Sequence, residues 1–138
     1  MPELSTTRLA DLVSKRRRCL EQLLELGNRQ ADFIAVGNMA DLMRLLSAKQ
    51  QLIVALQGLE KELAPYHDED PESRRWSSPD ERMRCAADAD HCRRLIAVVM
   101  SLEQAGERQL TLRRDETAVQ LRNVSAAGRV RDAYQSQM

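Results

Sequence analysis

The stretch GNMADLMRLLSAKQQLIVALQGLEKEL, residues 37–63, decides the fold. Within it Leu42, Leu45, Lys49, Leu52, Leu56, Leu59 and Leu63 recur at alternating steps of three and four. That spacing lays them along one face of an α-helix and along no face of a strand. Met39, Leu46 and Ile53 widen the stripe to the breadth that a bundle core needs. Lys49 alone interrupts the apolar seam. Gly37 suits the left-handed position after a helix end, Asn38 is a strong N-cap, and Asp41 supports the same N-terminus. A helix over 39–64 is therefore expected, closed by Pro65. The short connection before it makes the preceding helix an antiparallel neighbour.

Working outward, Leu9, Leu12, Arg16, Cys19, Leu23, Leu26, Gln30 and Phe33 hold the same rhythm. They predict a helix over 6–36, capped by Ser5, Thr6 or Thr7. Downstream, residues 65–78 are polar and aperiodic and read as an exposed loop, with Trp76 stapling it to the bundle end. Ser78-Pro79-Asp80-Glu81 then supplies an N-cap, a proline at the first helical position and a capping glutamate. The third stripe carries Cys85, Cys92, Leu95, Val99, Leu102, Leu110, Leu121 and Val124, passing Gly106, Arg113 and Thr117. A helix over 79–124 would span roughly 70 Å, against about 40–45 Å for each of the other two. Part of it must project beyond a three-helix core, or the chain must turn near Gly106 or at Ser125-Ala126-Ala127-Gly128. Gly106 marks a kink, a close helix contact or the end of a segment. The expected fold is all-α: an elongated antiparallel bundle of three long helices with a short C-terminal helical tail, in one domain over 1–138.

Composition narrows the function. Hydrophobic residues make up 43%, enough for a core, and the 21 basic residues are matched by 21 acidic ones. That balance argues against nucleic acid as a partner, since phosphate binding wants a basic surface. The longest apolar run, LIAVVM at 95–100, falls far short of the roughly 18 residues that span a bilayer, so no membrane insertion is expected. The N-terminus lacks a signal pattern, and three cysteines suit a reducing compartment; the cytoplasm is the expected location.

No catalytic residue, metal site or cofactor is expected. Cys85 and Cys92 share a helix face but lie about 10 Å apart along the axis, too far for one zinc ion. His67, His91 and Cys19 complete no ligand set, and Asp88-x-x-His91 is half of a motif at best. Phosphate-binding, dinucleotide and hydrolase motifs are missing. The run Lys15-Arg16-Arg17-Arg18 points around the helix in nearly all directions and reads as a solvated surface paired with Asp11, Glu21 and Glu25. The C-terminal third is more informative. Leu110, Leu112, Val119, Leu121, Val124, Val130 and Tyr134 lie along a strongly polar stretch. One reading is a frayed continuation of the third helix. The other is an adaptable segment, about 107–138, whose modest apolar face completes itself on a partner.

Gly37-Asn38-Met39-Ala40-Asp41-Leu42, followed by Leu45, Leu46, Lys49, Leu52, Leu56 and Leu59, resembles the FlgN family of flagellar type III export chaperones. Lys49 occupies the family's lysine position in the second helix. The tail Ala126-Ala127-Gly128-Arg129-Val130-Arg131-Asp132-Ala133-Tyr134 is similar to the small-residue and Ala-Tyr ending of that family. Where the family often carries asparagines midway along its third helix, this chain reads Glu103-Gln104-Ala105-Gly106-Glu107-Arg108-Gln109-Leu110. The resemblance implies a chaperone without ATPase activity. Its clients would be the hook-associated (hook–filament junction) proteins, bound through their C-terminal helical segments and delivered to the flagellar export apparatus. The rival reading is a non-flagellar structural or adaptor bundle that dimerises through its leucine stripes. Those stripes also leave room for weak self-association of a chaperone.

Overall fold

The computed structural model describes residues 4–136, with side chains through residue 133. Helix α1 runs Thr6–Val36, α2 Met39–His67 and α3 Pro79–Ser136, with a short 3-10 turn at Pro71–Ser73 between the last two. The described residues form an all-α bundle, as the periodicity predicts.

Each helix begins where its side chains can satisfy the free backbone N–H groups. Ser5 caps α1 by accepting from the Arg8 amide at 3.2 Å. Thr6, the first helical residue, instead donates its hydroxyl to the Arg75 carbonyl at 2.8 Å and ties the helix start to the distant loop. At the other end Gly37 adopts φ +73°, and the Gly37 and Asn38 amides close on the Ile34 and Phe33 carbonyls. Asn38 accepts from the Asp41 amide and donates to the Asp41 carboxylate, so two residues stop α1 and start α2. A side chain at position 37 would be strained in that backbone conformation. Gly37→Val is expected to lower stability by about 1–2 kcal/mol, read as a shift in the urea midpoint.

Two boundaries differ from the expected ones. Pro65 does not end α2, which continues to His67. The missing proline N–H is offset because Tyr66 is buried in the core beside Leu9, Leu12 and Leu63 and donates its hydroxyl to the Ser5 carbonyl at 2.9 Å. Arg74 holds the Tyr66 carbonyl at 2.8 Å, so the last turn is fixed from both sides. Nor does α3 break at Ser125–Gly128: it is one helix of 58 residues to Ser136, about 87 Å long at 1.5 Å per residue. The C-terminal tail is thus the continuation of α3. Ser78 caps it at the other end, accepting from the Glu81 amide at 3.1 Å.

Helix α1 is central. Backbones approach closely between α1 and α3 and between α1 and α2, whereas α2 and α3 meet through side chains. Because α2 reverses the chain, α3 runs parallel to α1. Their register is fixed by Cys92 against the Val13 carbonyl, Leu102 against Gly27, Gly106 against Gln30, and Gln109 donating to the Ala31 carbonyl at 3.2 Å. One apolar cluster at the loop end joins Leu9, Leu12, Val13, Leu63, Tyr66 and Cys85, with Trp76 packed on it. A further cluster joins Leu20, Leu23, Cys92 and Leu95 midway. Each fully buried leucine contributes about 1.5–3 kcal/mol relative to exposure. The three cysteines are buried and unpaired, and burial pushes each thiol above its ordinary range.

A polar layer follows these clusters toward the hairpin end. Lys49, only 4% exposed, donates to Gln30 Oε1 at 2.7 Å and pairs with the Glu103 carboxylate. Gly106 is the close helix contact in this layer. A β-carbon there would come within 2.8 Å of the Gln30 amide nitrogen.

Candidate functional site

The register leaves α3 much longer than its partners. Its Arg113 side chain lies over Gly37, at the turn between α1 and α2. Leu121 is the last residue of α3 to line a groove against that turn. From Leu121 to Ser136 the helix projects beyond the groove as an arm of about 22 Å.

This arm and its root carry the candidate residues. Leu110 is half-buried in the groove, whereas Leu112, Val119, Leu121, Val124 and Val130 are all exposed, Leu121 by 65% and Val124 by 71%. Tyr134 lies in the last turns of α3, and its side chain falls outside the described residues. The remaining six do not form one surface. At about 100° per residue, Leu110, Leu121 and Val124 fall within roughly 60° of one another, while Leu112, Val119 and Val130 cluster about 180° away. The set with Leu110 continues the face that packs on the hairpin. The set with Leu112 points out from the opposite side of the helix.

The groove encloses about 620 Å³ between the hairpin turn and α3. Its floor is apolar, from Ile34, Met39 and Leu42 on the hairpin side and Leu110, Ala118 and Leu121 on α3. Arg113 and Arg114 also line it, and no carboxylate among the described residues does. Sequence periodicity places Leu110 and Leu121 on a partner surface but not Ile34, Met39 or Leu42. Met39 and Leu42 read only as core residues of the second stripe, and Ile34 falls outside the first one, because nothing in the sequence says how far α3 runs past the hairpin turn.

Charge is distributed differently in body and arm. Three of the four residues from Lys15 to Arg18 reach carboxylates, while Arg18 donates to the Ser14 hydroxyl at 3.2 Å and Glu25, an expected partner, pairs with Arg29 instead. Lys15 pairs with Asp11 at 2.8 Å, Arg16 reaches Glu60 of α2, and Arg17 bridges Glu21 and Asp88 of α3 at 2.8 and 2.9 Å. Two of these pairs run between helices, so the run is a set of interhelical clasps as well as a solvated face. The Lys15 contact holds the Asp11 carboxyl below its usual range. Among the described residues no three His, Cys, Asp or Glu side chains converge as a metal site would require. No helix among them is long and apolar enough to cross a membrane.

Similarity to known proteins extends over most of the bundle. A family model described as "FlgN protein" matches residues 1–109. The chain belongs to the FlgN family. Family membership makes it a flagellar export chaperone in general terms, and the family is one of chaperones rather than enzymes. The matched region takes in α1, α2 and the part of α3 that packs against them, including the Lys49–Gln30–Glu103 layer. It ends one residue before Leu110, so all seven candidate residues lie beyond the FlgN match. No curated protein and no solved structure matches the chain.

Proposed function

We propose that this FlgN-family chain works in the cytoplasm as the export chaperone of hook-associated proteins. In this reading it holds their C-terminal helical segments against the C-terminal half of α3, prevents their premature association and delivers them to the export apparatus. The observation that carries the reading is the unpartnered apolar surface of the projecting arm. A helix that is polar on most faces gains little by extending about 22 Å into water, yet this one presents Leu121 and Val124 there. What singles out Leu121 and Val124 among the exposed apolar residues is that they continue the Leu110 face beyond the bundle, as a contiguous surface awaiting cover would. A junction-protein end needs such cover. Its own apolar stripe is destined for packing in the filament and would associate early if left bare.

The proposed contact region draws on Leu110, Leu112, Val119, Leu121, Val124, Val130 and Tyr134, with Leu110, Leu121 and Val124 on the hairpin side of α3 as its principal contact and Leu112, Val119 and Val130 on the opposite side contributing less. The test compares the full chain with one ending at Leu121, using a purified hook-associated protein and titration calorimetry. The shortened chain should keep its helical bundle and melting temperature, because the core clusters lie before residue 110. Its affinity should fall by about tenfold or more. Unchanged affinity would remove the arm from the binding site.

A further inference from the structure

We propose that the groove at the hairpin turn takes an amphipathic helical segment whose apolar stripe is flanked by carboxylates. This rests on the chaperone reading for the occupant, a client's helical segment, and adds the place and the charge pattern by which it is chosen.

The shape comes first. From Leu110 to Leu121 the groove wall spans 12 residues of α3, about 16 Å or three helical turns. Two helix surfaces diverge there: the start of α2 at Met39 and Leu42, and the face of α3 carrying Leu110 and Leu121. A third helix of about three turns can lay its apolar stripe into that angle in the helix-in-groove manner. Leu42 supplies a fixed floor, being 1% exposed, while Met39 at 54% and Leu121 at 65% supply uncovered walls.

Charge then selects the occupant. On α3, Arg113 and Arg114 lie on either side of the line from Leu110 to Leu121. The Arg113 guanidinium rests over Gly37 and has no carboxylate partner among the described residues. Arg114 has only its neighbour Asp115, at 3.7 Å and largely in solvent, a pair of little strength. In α1, by contrast, Arg8, Lys15, Arg16, Arg17 and Arg29 each reach a carboxylate. An apolar floor with two uncommitted guanidiniums and no acid complements a stripe of large apolar residues with Asp or Glu beside it. A basic amphipathic helix would bring like charges together and be rejected.

Two fluorescein-labelled helical peptides of about four turns, sharing one leucine stripe, test this against the full chain by anisotropy. One peptide carries Glu beside the stripe and the other Lys. The Glu peptide should bind at least about tenfold more tightly at low salt, and the Arg113→Glu/Arg114→Glu chain should reverse the order. Met39→Glu, which adds an acid to the exposed groove wall, should weaken the Glu peptide. Circular dichroism confirms that each variant is folded. Equal binding of the two peptides, or a preference untouched by the arginine changes, would overturn the proposal. So would a chain that is dimeric at micromolar concentration and becomes monomeric on Met39→Glu, since a second copy would then fill the groove. If the doubly substituted chain captured a hook-associated protein at full strength, the groove proposal would fail while the chaperone reading stood. Binding of the Glu peptide as expected, with no hook-associated protein captured, would uphold the groove and sink the chaperone reading.

Discussion

Leu121→Asp and Val124→Asp should each weaken client binding by about 30-fold or more while leaving the bundle folded. Both side chains are exposed, so the charge costs the free chain within about 0.5 kcal/mol. In a complex the same carboxylate would be driven into an apolar contact, and a substitution near the centre of an interface costs about 2 kcal/mol or more. Leu112→Asp and Val119→Asp provide the comparison, because they place the same charge on the opposite side of the same helix. Their effect on client affinity should be smaller. Calorimetric titration of a hook-associated protein against the four variants separates the faces. Equal losses at all four would mean that the client wraps the whole arm. A lowered melting temperature for Leu121→Asp would place that residue in the core and remove it from the site.

Glu103→Ala should be the most destabilising change outside the apolar clusters. The Lys49 ammonium is enclosed between α1, α2 and α3 and has two partners, the Gln30 side-chain oxygen and the Glu103 carboxylate. Removing Glu103 leaves a buried cation with one neutral acceptor. Losses of about 3–5 kcal/mol are usual for breaking a fully buried pair, and here about 2 kcal/mol is expected because the Glu103 side chain is 44% exposed. Lys49→Met should cost less, about 1 kcal/mol, because it removes the charge along with the pair and leaves chiefly the Gln30 oxygen without its donor. The double variant should then be little worse than Lys49→Met alone. Urea unfolding of the three variants measures this directly. An additive double variant would mean that Lys49 and Glu103 act independently and that the layer does not couple α2 to α3.

Most of the fold is readable because its signals are local. Ser5, Asn38 and Ser78 cap the helices that their positions announce, and Gly37 takes the left-handed conformation expected of it. Pro65 misleads because its cost is a single hydrogen bond, whereas the gain that outweighs it comes from Tyr66 meeting Leu9 and Ser5, some sixty residues away in the chain. Gly128 resembles a break, yet glycine costs a helix interior only about 1 kcal/mol relative to alanine, and the helix carries it. Gly106 admits three readings, and only the position of Gln30 on α1 distinguishes them.

The candidate surface is legible in part. The apolar residues of the arm stand out against a polar background, and their division into two faces follows from their spacing once α3 is continuous. The groove is not legible, since Met39 and Leu42 belong to the α2 stripe and nothing local says that α3 passes beside them. The freedom of Arg113 is hidden for the same reason. The run from Lys15 to Arg18 is legible by half: Lys15 with Asp11 and Arg17 with Glu21 pair along the helix as their spacing predicts, whereas Glu60 and Asp88, which Arg16 and Arg17 reach on other helices, leave no local signal.

In the proposed function this member of the FlgN family escorts hook-associated proteins by means of the C-terminal half of α3, the projecting arm included. Affinity co-purification from cells building flagella, with mass spectrometry of the bound proteins, tests it most directly. A hook-associated protein should be recovered with the full chain and in clearly smaller amounts with the chain ending at Leu121. Recovery of the chain with itself alone, or of a hook-associated protein in equal amounts with and without the arm, would contradict it.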